Sequence, residues 1–392
     1  MKTTRTLVIL LFTLGAALID LKLALLFATT SAIAVVAMPM VIKMMNRLHI
    51  LDYPNSRTSH ESPVPTCGGL GIFLGLVPVL GHVIYFSQSM DMIAISIATI
   101  ALMATGVIDD IKELAPKPKF LIQFLAAGLV VYAGVRLQSL HGLFGIYYIE
   151  PMWQYTISLI IIIGVTNATN LMDGIDGLAG GIGFIISLSL GILLYSVGEM
   201  SFAMLGFGLA GSLLGFLYYN FNPAKIFMGD TGSLIVGFII ICLGIRLSLH
   251  DAVSFQGVVL ERPTLLIIGM FILPVYDTLR IFLERMMKGV SPFSPDTNHI
   301  HHLLIKTGFN HARSSQILYA GQIGLLFTSF LLSLTELPST TVLLILFAQT
   351  MILSEILTLV KLLRTAVKAR GVNRILRMKA SKNALLINNI KV

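Results

Sequence analysis

The sequence predicts an all-α, polytopic integral membrane protein of about eleven transmembrane helices. Composition is the first reason. Of 392 residues, 56% are hydrophobic and only 12% charged, with a mean hydropathy of +0.87. A soluble protein needs more charge than this to cover its surface. The second reason is the recurrence of apolar runs near the length that a hydrocarbon core requires. The third is that no period-two alternation of the kind that marks a membrane β-barrel is present.

The runs follow in order. Met1–Thr6 carries Lys2 and Arg5 and precedes the apolar run Leu7–Ile19. That run resembles a signal-peptide core, but it leads directly into Leu23–Val41 with no small-residue cleavage site. It is short for a full span and reads either as a short first helix or as a tilted extension. After Leu23–Val41 come Gly69–Tyr85, Met92–Ile108, Phe120–Val135, Trp153–Thr166, Leu178–Tyr195 and Phe202–Tyr219. Leu234–Leu249, Thr264–Phe282, Ser315–Leu334 and Thr341–Val360 complete the set.

The loops fall on alternating sides. Lys43–Gly68, Asp109–Lys119, Asn167–Gly177, Asn220–Thr231, Glu284–Arg313 and the C-terminal tail hold most of the Lys and Arg. The positive-inside rule makes that set cytoplasmic. The opposite set, including Ser87–Asp91, Gln138–Met152, Gly198–Ser201 and Leu337–Ser339, is mostly short and carries few cations. Residues 1–360 read as one membrane domain and 361–392 as a basic cytoplasmic tail. The tail holds nine Lys or Arg and no Asp or Glu, within a net charge of +8. It reads as held near anionic headgroups. No aromatic residues interleave its charges, so nucleic acid is not an expected partner. Cys67 and Cys242 lie far apart, with neither disulfide-framework nor metal-ligand spacing.

Four polar motifs interrupt this greasy chain, nearly all in the cytoplasmic set. The central one is Asn167–Leu178, N-A-T-N-L-M-D-G-I-D-G-L. Asn167, Asn170, Asp173 and Asp176 recur every three residues, and that spacing predicts one curved face presenting two carboxamides and two carboxylates. Uncompensated carboxylates beside a bilayer are costly and mark function by default. Asp109-Asp110 ends a span; adjacent like charges repel and call for a cation nearby. Lys112, Lys117 and Lys119 follow within ten residues and could neutralise the pair or receive phosphates.

Phe227–Ser233, F-M-G-D-T-G-S, places Asp230 between glycines just before an apolar run. Asp230 reads either as a helix cap or as a carboxylate for Mg²⁺, which is held by one or two carboxylates plus substrate phosphates. Asn220, Asn222 and Lys225 add hydrogen-bonding groups upstream. Finally, His299, His301 and His302 lie in P-D-T-N-H-I-H-H. With no Cys nearby, phosphate or sugar contact is a better reading than zinc, and Arg280, Arg285 and Lys288 strengthen it. No Walker loop or nucleophile elbow appears. The sum suits Mg²⁺-assisted phosphoryl transfer between a soluble phosphate donor and a lipid acceptor.

D-D-I-K-E-L-A-P-K-P-K, N-A-T-N-L-M-D-G-I-D-G-L-A, F-M-G-D-T-G-S-L and S-P-F-S-P-D-x-x-H-I-H-H together resemble the polyprenyl-phosphate N-acetylhexosamine-1-phosphate transferases, glycosyltransferase family 4. The resemblance is collinear from about Asp52 to Gly308. The H-I-H-H form is similar to the undecaprenyl-phosphate N-acetylglucosamine-1-phosphate transferase branch, and P-N-S-R-T-S-H-E-S-P-V-P also resembles the non-muramoyl branch. The resemblance implies transfer of a sugar-1-phosphate from a UDP-N-acetylhexosamine to undecaprenyl phosphate, with release of UMP, to initiate a cell-envelope polysaccharide. It implies a multi-pass protein of the bacterial inner membrane whose active site faces the cytoplasm. Mg²⁺ is the implied cofactor, with Mn²⁺ as candidate substitute, and a homodimer is left open.

By the same resemblance, Asp230 matches the metal-binding carboxylate, with Asn170 as second ligand. Asp109 or Asp110 matches the residue that deprotonates or orients the lipid phosphate. Asp176, Asn220 and Phe227 match positions near the uridine; Asp173, His299, His301 and His302 match the sugar–pyrophosphate region. Lys119, Asn167 and Arg285 complete the expected substrate-binding set. Two departures stand out: Thr66 and Thr297 occupy positions where many relatives carry arginine. Two other readings are a phospho-N-acetylmuramoyl-pentapeptide transferase and a lipid-linked sugar transporter. A transporter would place its polar residues near the bilayer midplane, whereas here they lie at the ends of spans.

Overall fold

The computed structural model describes residues 2–53, 62–87, 89–255, 257–291 and 298–360. The tail and Thr297 lie outside them. The expectation of an all-α chain holds. Helices α1 (Lys2–Ala17), α2 (Leu21–Leu48), α3 (Gly69–Ser87), α4 (Met90–Lys112), α5 (Pro116–Tyr132) and α6 (Pro151–Met172) form the first half. Then come α7 (Leu178–Ser196), α8 (Met200–Asn220), α9 (Gly229–Leu247), α10 (Pro263–Met287), the short α11 (Ile300–Lys306), α12 (His311–Ser333) and α13 (Ser339–Val360). Strands β1 (Leu51–Asp52) and β2 (Val64–Pro65) pair antiparallel, as do β3 (Val253–Phe255) and β4 (Val258–Leu260).

Ten of these helices are long and apolar enough to cross a membrane. The difference from eleven is α5, which is only 17 residues long. The chain is a multi-pass membrane protein. The Leu7–Ile19 run is the body of α1, 16 residues. It folds back along α2, with the guanidinium of Arg5 donating to the carbonyl of Tyr218 near the end of α8.

Helices α8 and α9 are the most buried spans, and α12 and α13 lie outermost. With no hydrophobic drive between helices in lipid, close packing depends on small residues. Two glycines do this around the first turn of α9. A Cβ on Gly69 of α3 would collide with the backbone of Gly232, and one on Gly106 of α4 with the backbone of Thr231. Both neighbouring helices are thus drawn onto the start of α9.

The opposite end of the bundle is fastened by charge. Arg246, at the end of α9, pairs with Glu199 at 2.8 Å and Asp91 at 3.4 Å, and stacks over Phe202.

Candidate active site

The start of α9 meets the ends of α4 and α6 and the start of α5. An α-helix leaves its first N–H groups without partners, and α9 has no side-chain cap of its own. Asp110, from α4, supplies one. Its carboxylate accepts from the N–H of Asp230 at 2.8 Å, the N–H of Thr231 at 3.2 Å and the hydroxyl of Thr231 at 2.6 Å. The Cys67 thiol also bonds this carboxylate; burial and the charge of Asp110 push that thiol up to about 12, so it stays protonated. Asp230 is therefore not the cap of α9, which settles one of its two sequence readings.

Released from capping, the Asp230 side chain enters a charged cluster. One oxygen accepts from the Asn170 amide at 2.7 Å, and that amide also reaches Ser233 at 2.8 Å. The other pairs with the ammonium of Lys119, which also binds Asp109 at 3.1 Å. Asp109 further accepts from the N–H of Leu114 at 2.6 Å. The adjacent acids thus part company: Asp109 faces Lys119, and Asp110 secures a helix.

The expected single face of Asn167, Asn170, Asp173 and Asp176 is not what forms. Three-residue steps turn about 60° back round an α-helix each time, and α6 ends at Met172. Only Asn170 reaches Asp230. Asn167 turns to α5, its amide donating to Gln123 at 2.6 Å. Asp173 lies in the turn, half-buried, and accepts from the backbone of Gly229; burial first, then the charge of Asp110, push its carboxyl up to about 7.

Asp176 is buried and braces the turn after α8, accepting from Asn222 at 2.9 Å and the N–H of Ala224 at 3.0 Å, with His311 at 3.1 Å. Burial opposes its charge, but the hydrogen bonds from His311 and Asn222 outweigh it and hold its carboxyl below the usual range. Asn220 is likewise structural in its contacts: buried, it accepts from the N–H of Gly177 at 2.9 Å and donates to the carbonyl of Ile226 at 2.8 Å. Phe227 is half-buried, and its backbone stitches this turn to Pro65 and Gly68, each at 2.8 Å.

The histidines approach from α11. His301 is buried and packs on Gly174, where a Cβ would fall within 3.0 Å of its ring. Burial and the neighbouring His302 bring its imidazole down to about 3, so it is neutral. His299 stacks parallel to His301, with ring centroids 5.8 Å apart, and His302 lies 4.3 Å from His301. His299 is held by Asp277 of α10 at 2.8 Å, and Arg280 pairs with the same acid at 3.1 Å. Arg285 is buried at the end of α10. His301 therefore joins the histidine group to the centre through the turn at Gly174.

Asp277 and Gln123 were missed in the sequence. Both are polar groups inside apolar runs, which was the available signal.

Among the described residues no three His, Cys, Asp or Glu side chains form a ready-made ion cage. The cluster nevertheless fits a hard divalent cation. Its donors are oxygens, and an ammonium already sits between the carboxylates of Asp109 and Asp230.

The sequence pattern of the family described as glycosyl transferase family 4 matches residues 92–248, which run from α4 through α9. A Bacillus subtilis protein, a probable undecaprenyl-phosphate N-acetylglucosaminyl 1-phosphate transferase, is 34% identical over 329 residues, 83% of this chain and 88% of its own. The chain belongs to glycosyl transferase family 4. A decaprenyl-phosphate N-acetylglucosaminephosphotransferase of Mycobacterium tuberculosis is 33% identical over 76% of this chain and 79% of its own. An undecaprenyl-phosphate alpha-N-acetylglucosaminyl 1-phosphate transferase of Yersinia pestis is 31% identical over 68% and 72%. In this family 4 chain, the matched region holds both acids of the pair, Lys119, the Asn170–Asp176 turn and Asp230.

Proposed function

We propose that the protein transfers N-acetylglucosamine-1-phosphate from UDP-N-acetylglucosamine to undecaprenyl phosphate and releases UMP. The observation that carries this reading is Lys119 between Asp109 and Asp230 at one end of a membrane bundle. The names of the relatives favour it over the muramoyl-pentapeptide and transporter readings.

An oxygen of the lipid phosphate attacks the sugar-linked phosphorus of the donor. The pyrophosphate P–O bond breaks, and its electron pair leaves on UMP. Both reactants are anionic, so charge must be offset before they approach. Lys119 supplies one positive charge, and Asp109 orients the lipid phosphate and accepts its proton where one is present. Asp230, with Asn170 beside it, would hold Mg²⁺, or Mn²⁺ in its place, which neutralises charge on the pyrophosphate. Asp173 and the His299–His302 group flank the sugar–pyrophosphate, while Asp176, Asn220 and Phe227 hold the wall beside the uridine.

Lys43, Arg47, Lys112, Lys117 and Lys225 lie at this end of the bundle, which supports a cytoplasmic orientation in the bacterial inner membrane. A homodimer belongs to the same reading, and mass measurement in nanodiscs would test it. The decisive assay is UMP release by purified protein with undecaprenyl phosphate, Mg²⁺ and a panel of UDP-HexNAc donors. UMP release above the no-enzyme rate with UDP-N-acetylglucosamine is expected; none with any donor would refute the reading.

A further inference from the structure

A second feature lies outside the cluster, on the far side of the α8–α9 turn. Pro39, Ile42, Lys43, Asn46 and Arg47 share one face of α2 and, with Tyr219 and Lys225, line a groove of about 480 Å³. The spacing explains the face, because residues three, four, seven and eight apart stack along a helix. Tyr219 is wedged into it, its hydroxyl donating to the carbonyl of Val35 at 3.1 Å. Lys43, Arg47 and Lys225 are exposed, and none forms an ion pair with a described carboxylate.

The groove is graded along the helix. Pro39 and Ile42 come first, and the cations lie toward the end of α2. That helix has 28 residues, about 42 Å at 1.5 Å per residue. A hydrocarbon core is about 30 Å thick, so the last turns of α2 stand at headgroup depth. Three cations with no ion pair among the described residues, above an apolar floor, match a phosphodiester joined to an acyl chain. A soluble phosphate would use the cations and leave the floor uncovered.

We propose that this groove binds an anionic glycerophospholipid, its phosphodiester among Lys43, Arg47 and Lys225 and its chain along Pro39, Ile42 and Tyr219. The site is separate from the charged cluster and does not depend on the reaction assigned to it. It does touch the cluster's support: Lys225 follows Ala224, whose N–H holds Asp176. A bound headgroup therefore contacts the turn that leads into Asp230.

The test is a thermal-unfolding titration of the full chain in uncharged detergent. The probes are short-chain phosphatidylglycerol, short-chain phosphatidylcholine and glycerol phosphate. A ligand that binds the folded state raises the melting temperature. Phosphatidylglycerol should do so saturably, with phosphatidylcholine and glycerol phosphate far weaker. The half-effect concentration should rise about fivefold per cation removed, measured for Lys225→Gln and Arg47→Gln singly and for the triple Lys43→Gln/Arg47→Gln/Lys225→Gln. The single variants remain decisive if the triple does not fold. Unchanged half-effect concentrations in the variants, an equal shift from phosphatidylcholine, or an equal shift from glycerol phosphate would each overturn the proposal.

Discussion

Asp110 grips Thr231 twice, at its backbone N–H and at its hydroxyl, 3.2 and 2.6 Å away. Its neighbour Asp109 bonds the N–H of Leu114 beyond its own helix end and pairs with Lys119, with no bond to the first turn of α9. The two acids should therefore fail differently. Asp110→Ala strips the first turn of α9 of its acceptor and should cost about 1.5–3 kcal/mol of stability, as hydrogen bonds to a charged group do. Asp109→Asn should cost less stability and lower turnover by about 10²–10³. Thermal unfolding and UMP release on both purified variants separate the roles; matched stability losses would refute the division.

Lys119 occupies the place where a divalent ion would compete for Asp109 and Asp230. Lys119→Gln removes the competing charge and should tighten Mn²⁺ binding by about tenfold or more, given the strength of charge pairs at this range. Electron paramagnetic resonance of bound Mn²⁺ reads this without catalysis. Asp230→Asn should weaken the same binding. Unchanged Mn²⁺ affinity in both variants would place the metal elsewhere.

Asp173 makes stability depend on pH. Its folded value, raised from 3.8 to about 7 by burial and by Asp110, lets the folded protein keep a proton that the unfolded chain has already released. The wild type therefore loses stability as pH rises through about 4 to 7. Asp173→Asn lacks that loss, so its advantage over the wild type should grow across this window and level off above it. Melting temperatures of both proteins in chelator, at pH 5 and pH 8, check this. Parallel behaviour would mean that Asp173 titrates normally.

Gly69 meets backbone, not a movable side chain, where α3 touches Gly232. Gly69→Ala must push the two helices apart. We expect a loss of about 3 kcal/mol, at the upper end for overpacking. The shift should also disturb Asp230, so Mn²⁺ affinity should fall with stability. A stable variant with normal Mn²⁺ binding would show that the helices can part freely.

The spans were legible because apolar runs of the right length have few other uses. The shortness of α5 escaped because the run read on to Val135, whereas the helix ends at Tyr132 and spends its first turn on the polar stretch Pro116–Lys119. The meeting of Asp109, Asn170 and Asp230 was legible from their placement at the ends of spans on one side; that Lys119 would bridge the two acids, and that His301 would join them by way of the turn at Gly174, was not. Nor was their division of labour. The cap of α9 comes from another helix, so no local motif announces it. The three-residue rhythm of Asn167 to Asp176 misled for a related reason: it crosses the end of α6, and each residue then follows its own partner. The bond between Asp277 and His299 joins α10 to the start of α11 and has no periodicity to betray it.

The contacts of Gly69 and Gly106 with α9 bear on biogenesis. The ribosome delivers α3 and α4 well before α9, and α4 carries the acceptor that the first turn of α9 lacks. When α9 enters the bilayer, the N–H groups of Asp230 and Thr231 find their partner only by docking against helices already in place. The charged cluster at the start of α9 is thus completed only after α3 and α4 are in place, so its formation reports the order in which these spans come together.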